Sequence, residues 1–123
     1  MDKTSLKIKI QKYQKTLNSY ITTLANNEND ISKKHNVEHF AIIDLKNNHF
    51  QLIAMGWDDD EFIHVVLIHL SIHSQTGNIW IHQNYTEIEI DEELEKLVGI
   101  PKKHFVLGFH PKFVREHSDY AVA

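Results

Sequence analysis

The densest collection of acid–base side chains lies in residues 106–123, VLGFHPKFVREHSDYAVA, where His110, Arg115, Glu116, His117 and Asp119 follow Gly108 and Pro111. Histidine moves protons near neutral pH and arginine can hold an anion, so the stretch has the ingredients of a hydrolase centred on His110 and Arg115. Ser118 beside His117 and Asp119 adds the residue types of a nucleophilic triad. Adjacent positions cannot adopt triad geometry, which assembles its members through space. No G-x-S-x-G elbow and no glycine-rich phosphate loop accompany them. The alternative is a docking tail. Gly108 and Pro111 would turn the chain, Phe109, Phe113 and Tyr120 would bury apolar area, and Arg115 would pair with an acid or touch a partner. Docking is the expectation.

Two further groups invite chemistry. The chain has ten histidines and no cysteine. If His73 pairs with Asn78 across a turn at 74–77, Ser71 faces Trp80 and His69 faces His82, half of a zinc site. No H-x-x-x-H or H-E-x-x-H pattern on a helix supplies the other half, and His39, His49 and His64 fall on different strands. Structural or surface roles are expected, with no metal. Acid is concentrated in Asp58-Asp59-Asp60-Glu61 and in EIEIDEELE, from Glu87 to Glu95. Magnesium-dependent nucleases hold their ion with acids from converging strand ends. Here the acids run consecutively, as in a solvated turn and a solvated helix face. Trp57 and Trp80 read as core or interface anchors, not nucleobase platforms. No catalytic residue and no cofactor is assigned.

The elements that must position these residues begin with a helix. Leu6, Ile10, Tyr13, Leu17, Tyr20, Ile21 and Leu24 recur at steps of three and four. Thr4 or Ser5 is the candidate cap and Asn26-Asn27 the candidate stop, followed by a polar connection over 26–36. Lys3, Lys7, Lys9, Lys12 and Lys15 fall mostly off the apolar stripe and form a basic wet face. From Val37 to Gln83 the period becomes two, giving four strands joined by short polar turns, an antiparallel meander. In the third strand Phe62, His64, Val66, Ile68, Leu70 and Ile72 share one nearly all-apolar face, expected to meet the core. Asp91 is the candidate cap of a second helix carrying Ile90, Leu94, Leu97 and Val98, stopped by Gly99 and Pro101. HFVLGF is a short strand. The fold class is α+β in one domain over residues 1–123: N-terminal helix, four-stranded antiparallel meander, second helix, short C-terminal strand and tail.

Composition bounds the function. Thirteen basic against seventeen acidic residues give a formal charge of −4. Such a chain is a poor general DNA binder, because phosphate affinity comes from neutralising cations. No apolar run approaches the roughly 20 residues that cross a bilayer. The lysine-rich start lacks a signal peptide's apolar segment, so a cytoplasmic protein without membrane contact is expected.

The succession MGW, NIWIHQNYTE, LEKLVGIPKKHFVLGFHP, Arg115 and the closing YAVA resembles the XisI family of fdxN-element excision controlling factors, from about Phe50 to Ala123. His82 stands where the family favours glutamine, Lys112 where a second proline is common, and Ser118 at a usual threonine. The resemblance implies a bacterial, non-catalytic accessory factor in programmed excision of a DNA element. It would work with an XisH-type companion while a separate recombinase cuts the DNA. Trp57, Trp80, Glu87, Gly108, His110, Pro111 and Arg115 are then the candidate interaction or structural residues. The expected mode is protein contact, with homo-oligomerisation open and DNA touched weakly or indirectly. The competing readings are a DNA-binding regulator using the lysine-rich helix, and an enzyme centred on His110 and Arg115.

Overall fold

A computed structural model describes residues 2–31 and 36–123. Helix α1 (Lys3–Ile31) packs across one face of a five-stranded sheet built from β1 (Asn36–Asp44), β2 (His49–Asp58), β3 (Glu61–Ile72), β4 (Ile79–Asn84) and β5 (Phe105–Leu107). Helix α2 (Ile90–Val98) and a 3-10 turn connect β4 to β5, and a short α3 (Lys112–Arg115) interrupts the tail. Spatial order follows chain order, β1-β2-β3-β4-β5. The first four strands are antiparallel neighbours as expected. The short C-terminal strand joins the same sheet and runs parallel to β4, because α2 lies in the crossover between them.

The predicted stripe of α1 faces the sheet: Tyr13, Leu17, Tyr20, Ile21 and Ala25 are buried, with Ile10 and Leu24 packed beside them. The cap is Asp2, not Thr4 or Ser5, its carboxylate accepting from Ser5 N at 2.7 Å. The helix also overruns the Asn26-Asn27 stop. Those two side chains point to solvent. Asn29 gives the extra turn an anchor, its amide accepting from His39 N and donating to His39 O on β1. The expected polar connection therefore begins as helix; its residues 32–35 lie outside the described part.

The turn chemistry matches the sequence. Asn48 takes a left-handed φ of 59° between β1 and β2, and Asp59 one of 52° between β2 and β3. Asp58-Asp59-Asp60-Glu61 is thus an exposed hairpin tip. The third strand departs from expectation. A β-bulge places Leu67 between the pairs Leu52–Ile68 and Ile53–Val66, and the extra residue reverses the alternation. Ile68, Leu70 and Ile72 enter the core as expected, but Phe62 and His64 are exposed and Leu67 packs inward instead.

In α2, Ile90 and Leu94 are buried, whereas Leu97 and Val98 are exposed. The cap position is Glu89, two residues before the expected Asp91 and without a side-chain capping bond, and Gly99 closes the helix at φ 73° as the sequence indicates. Asp91, inside the first turn, accepts from Tyr120 Oη at 3.0 Å. That hydrogen bond ties the tail to α2.

Candidate interaction surfaces

The tail is fastened by Arg115. Its Nε donates to Val122 O at 2.9 Å and its Nη1 to His110 O at 2.8 Å, so both edges of the guanidinium fork bind backbone. Its Cζ lies 4.9 Å from the centroid of the Trp80 ring, a cation–π contact. Trp80 in turn stacks between His73 and His82. Gly108 permits the approach, since a Cβ there would stand 2.8 Å from Trp80 Cε3. Ala121 N donates to Phe105 O at 2.8 Å, which covers the outer edge of β5. Pro111 is exposed at the start of α3. Arg115 is half-buried in these contacts, while the acids expected to face it are not its partners. Phe109 and Phe113 were expected to bury themselves; they stand 54% and 69% exposed. The apolar seating falls to Tyr120, packed against the core.

The remaining chemistry of the tail is not assembled. His117 and Asp119 are exposed, and the Ser118 hydroxyl donates to Arg115 O at 2.9 Å. The His110 ring lies edge-on to Phe109.

On the sheet face away from α1, three histidines gather. His49 Nδ1 and His69 Nε2 are 2.8 Å apart, and His69 and His82 rings lie 4.9 Å apart. Ser71 does pair with Trp80, but His69 pairs with Gln83, because β4 bulges at His82. The bulge swings His82 onto the Ser71 hydroxyl, with Oγ to Nε2 at 2.7 Å. This serine–histidine contact escaped the sequence reading, since a bulge leaves no reliable mark in the letters. Burial holds both His69 and His82 below the ordinary imidazole range, and the neighbouring rings repel the added charge. The rings therefore sit neutral at pH 7. Among the described residues, no group of three or more histidine or acidic side chains converges to hold a metal. As a nucleophile–base pair Ser71–His82 sits on a strand bonded to neighbours on both sides, so the ladder consumes the backbone donors an oxyanion would need.

The same face carries an exposed apolar group toward the β2–β3 hairpin. Trp57 and Phe62 pair across the β2–β3 hairpin with ring centroids 5.1 Å apart. Ile42, Met55, Trp57 and Phe62 are 49%, 40%, 55% and 50% exposed. Trp57, one of the candidate anchors, is thus a surface side chain.

The acidic segment forms a ridge. Glu87, Glu89, Glu92 and Glu95 are exposed along the approach to α2 and its outer side. Beside it lies a cleft of about 470 Å³ lined by His82, Tyr85, Glu89, Asp91, Phe109 and Tyr120, among others. The basic face of α1 is less complete than its spacing suggested. Lys3, Lys7, Lys12 and Lys15 are exposed, but Lys9 donates to Thr76 O at 2.9 Å and Asn78 Oδ1 at 2.8 Å. Lys9 holds the β3–β4 turn. Nearby, Tyr13 Oη and His104 Nδ1 are 2.5 Å apart, and burial, then Lys9 and Lys12, lower the proton affinity of His104.

A helix-backed sheet with an open second face, a clamped tail and an acidic ridge defines an α+β protein that presents surfaces. The chain belongs to the XisI family: the family model, described as XisI protein, matches residues 7–122, including the less distinctive first helix. Among solved structures, a XisI-like protein from Anabaena variabilis ATCC 29413 is 34% identical with a TM-score of 0.80, over 93% of this chain and 99% of that one. The fdxN element excision controlling factor XisI from the same organism is 29% identical with a TM-score of 0.72, over 94% of this chain and 99% of that one. No curated protein matches the chain. Among the described residues, no helix is long and apolar enough to cross a membrane.

Proposed function

We propose that this chain is a non-catalytic accessory factor in the control of DNA-element excision, acting as one XisI-like domain through contact with an XisH-type companion. Family membership over residues 7–122, and likeness to a fdxN element excision controlling factor, support the biological setting. The observation that supports the mode of action is the acidic ridge of Glu87, Glu89, Glu92 and Glu95 beside an aromatic-rimmed cleft. Tyr85 and Phe109, exposed at that cleft, are the kind of side chain that anchors an interface, and the surrounding acids favour a basic, DNA-handling partner. With Arg115 engaged by the tail's own carbonyls, an enzyme centred on His110 and Arg115 lacks its anion holder. With Lys9 engaged at a turn, the DNA-binding reading of α1 loses the middle of its basic row.

Co-purification of the full chain with an XisH-type protein, repeated across ionic strength, tests the reading. Complex formation that weakens with salt and is lost in a Glu87→Gln, Glu89→Gln, Glu92→Gln variant is the expected result. No complex at any ionic strength, or direct salt-sensitive binding of duplex DNA that survives in that variant, refutes it.

A further inference from the structure

The outer face of β1–β3 is arranged in five cross-strand rows. They run Asn36–Trp57–Phe62, Glu38–Met55–His64, Phe40–Ile53–Val66, Ile42–Gln51–His69 and Asp44–His49–Ser71. We infer that this face packs against the same face of a second copy of the chain, sheet on sheet, to make a two-fold dimer.

Three observations carry this. First, the face is too apolar to be ordinary surface. Trp57 and Phe62 on the first row, Met55 on the second and Ile42 on the fourth are each 40% to 55% exposed, with the half-buried Phe40, Ile53 and Val66 between them, while the inner face of the same strands buries Phe50, Leu52, Ala54, Ile68 and Leu70 under α1. Second, the size fits. Three strands about 4.8 Å apart and five rows about 7 Å apart span roughly 15 by 30 Å. Two such footprints bury on the order of 1,000 Å², the lower bound of about 1,000 Å² for a specific interface. An area of that size suits a reversible dimer, not an obligate one. Third, the polar groups are self-complementary about one axis only. A two-fold axis along β2 lays β1 of one chain over β3 of the other. Glu38 then meets the partner's His64, and Met55 meets the partner's Met55. An axis across the strands would instead set Glu38 over the partner's Ile42, leaving a carboxylate against apolar surface.

The competing route for a second copy, strand addition along the free edge of β1, is obstructed. Asn29 occupies both outward backbone groups of His39, in the middle of that edge. The other edge of the sheet is taken by the tail at Ala121. The face is open where the edges are closed.

Sedimentation equilibrium of the full chain from 1 to 300 μM (roughly the range in which transient dimers form) gives the first readout. The expected result is a monomer–dimer equilibrium whose dissociation constant rises at least about tenfold in Met55→Lys and in Phe62→Glu, with circular dichroism and melting unchanged. Should either introduced charge unfold the chain, a cross-link supplies the second readout. The protein has no cysteine, so single cysteines report cleanly. Met55→Cys should form an intermolecular disulfide on mild oxidation, and Phe40→Cys, which faces itself only about the other axis, should not. A monomer throughout the range overturns the inference. So does a dimer untouched by both charge variants, or cross-linking by Phe40→Cys in preference to Met55→Cys. A monomer whose companion binding is abolished by Met55→Lys also overturns it, and assigns the face to the companion.

Discussion

Replacing Arg115 with alanine discriminates between a tail that is clamped and a tail that awaits a partner. Arg115 makes two charge-assisted hydrogen bonds to backbone, at 2.9 Å to Val122 O and 2.8 Å to His110 O, and covers Trp80 at 4.9 Å. Hydrogen bonds involving a charged group contribute about 1.5–3 kcal/mol each when buried, and a cation–π contact about 0.5–1 kcal/mol at an exposed site. Arg115 is only half-buried, so water competes for the guanidinium and the sum shrinks to about 2–4 kcal/mol. At about 4 °C per kcal/mol for a chain of this length, Arg115→Ala should melt about 8–16 °C below the parent. Arg115→Lys keeps the charge but not the fork, and should lose about half as much. Differential scanning calorimetry gives the melting shift, and urea titration followed by Trp fluorescence gives the free energy at 25 °C, a reference temperature for such measurements. Arg115→Ala within about 0.5 kcal/mol of the parent, the range of an uninvolved surface change, refutes the clamp. If that variant also fails to bind a companion, Arg115 is a contact residue and the tail geometry has been misread.

Three other outcomes follow from the same contacts. His69, His82 and His104 all bind protons less readily in the folded chain than the unfolded value of about 6.5, so the unfolded state gains protons first on acidification. Stability present above about pH 6.5 is therefore lost as pH falls through the lowered folded values; urea midpoints at pH 7.5, 6.5 and 5.5 should decline, and a flat or rising series contradicts this. Gly108→Ala pushes a methyl to 2.8 Å from Trp80 Cε3, and should cost about 1–3 kcal/mol with a shift in Trp emission; an unperturbed melt counts against the close approach. Lys9→Met keeps the stem but abandons Thr76 O and Asn78 Oδ1, costing about 1–3 kcal/mol, whereas alanine at Lys3, Lys7, Lys12 or Lys15 should stay within about 0.5 kcal/mol. Equal melts across all five lysine variants would return Lys9 to the wet face.

Periodicity carries far in this chain because the core is one-sided. The α1 stripe from Ile10 to Leu24 and the hairpin turns at Asn48 and Asp59 are legible, since each rests on local geometry that the residue types dictate. What stays hidden depends on contacts distant in sequence. Nothing near Asn26 signals that Asn29 will find His39 and hold α1 helical to Ile31. Nothing in FIHVVLIHLSIH marks Leu67 as the bulged residue, because apolar side chains occupy both alternating registers before it. The tail illustrates a different limit. Its aromatic count suggested that Phe109 and Phe113 do the docking, but a polar fork and one tyrosine suffice, leaving both phenylalanines at the surface.

The two bulges together decide what the outer face displays. A shift of one residue exchanges the two faces of a strand, so without the bulge at Leu67 the side chains Phe62, His64 and Val66 would turn toward α1. Ile63 and Val65 would turn outward in exchange, and the exposed Trp57–Phe62 pair would not form. Beyond the bulge the same face carries His69 and Ser71, and the second bulge, in β4, adds His82 to them. The face is thereby divided along the strands into an apolar half near the β2–β3 hairpin and an imidazole half near the β1–β2 turn. Arg115 and the tail close over the Trp80 margin of the imidazole half. The apolar half receives no cover from its own chain, and its polar groups Glu38 and His64 lie on opposite margins of one row. Each bulge is satisfied locally, Tyr85 N donating to Leu67 O at 2.7 Å and the Ser71 hydroxyl meeting His82 Nε2 at 2.7 Å, so what the two change together is the surface that this face presents.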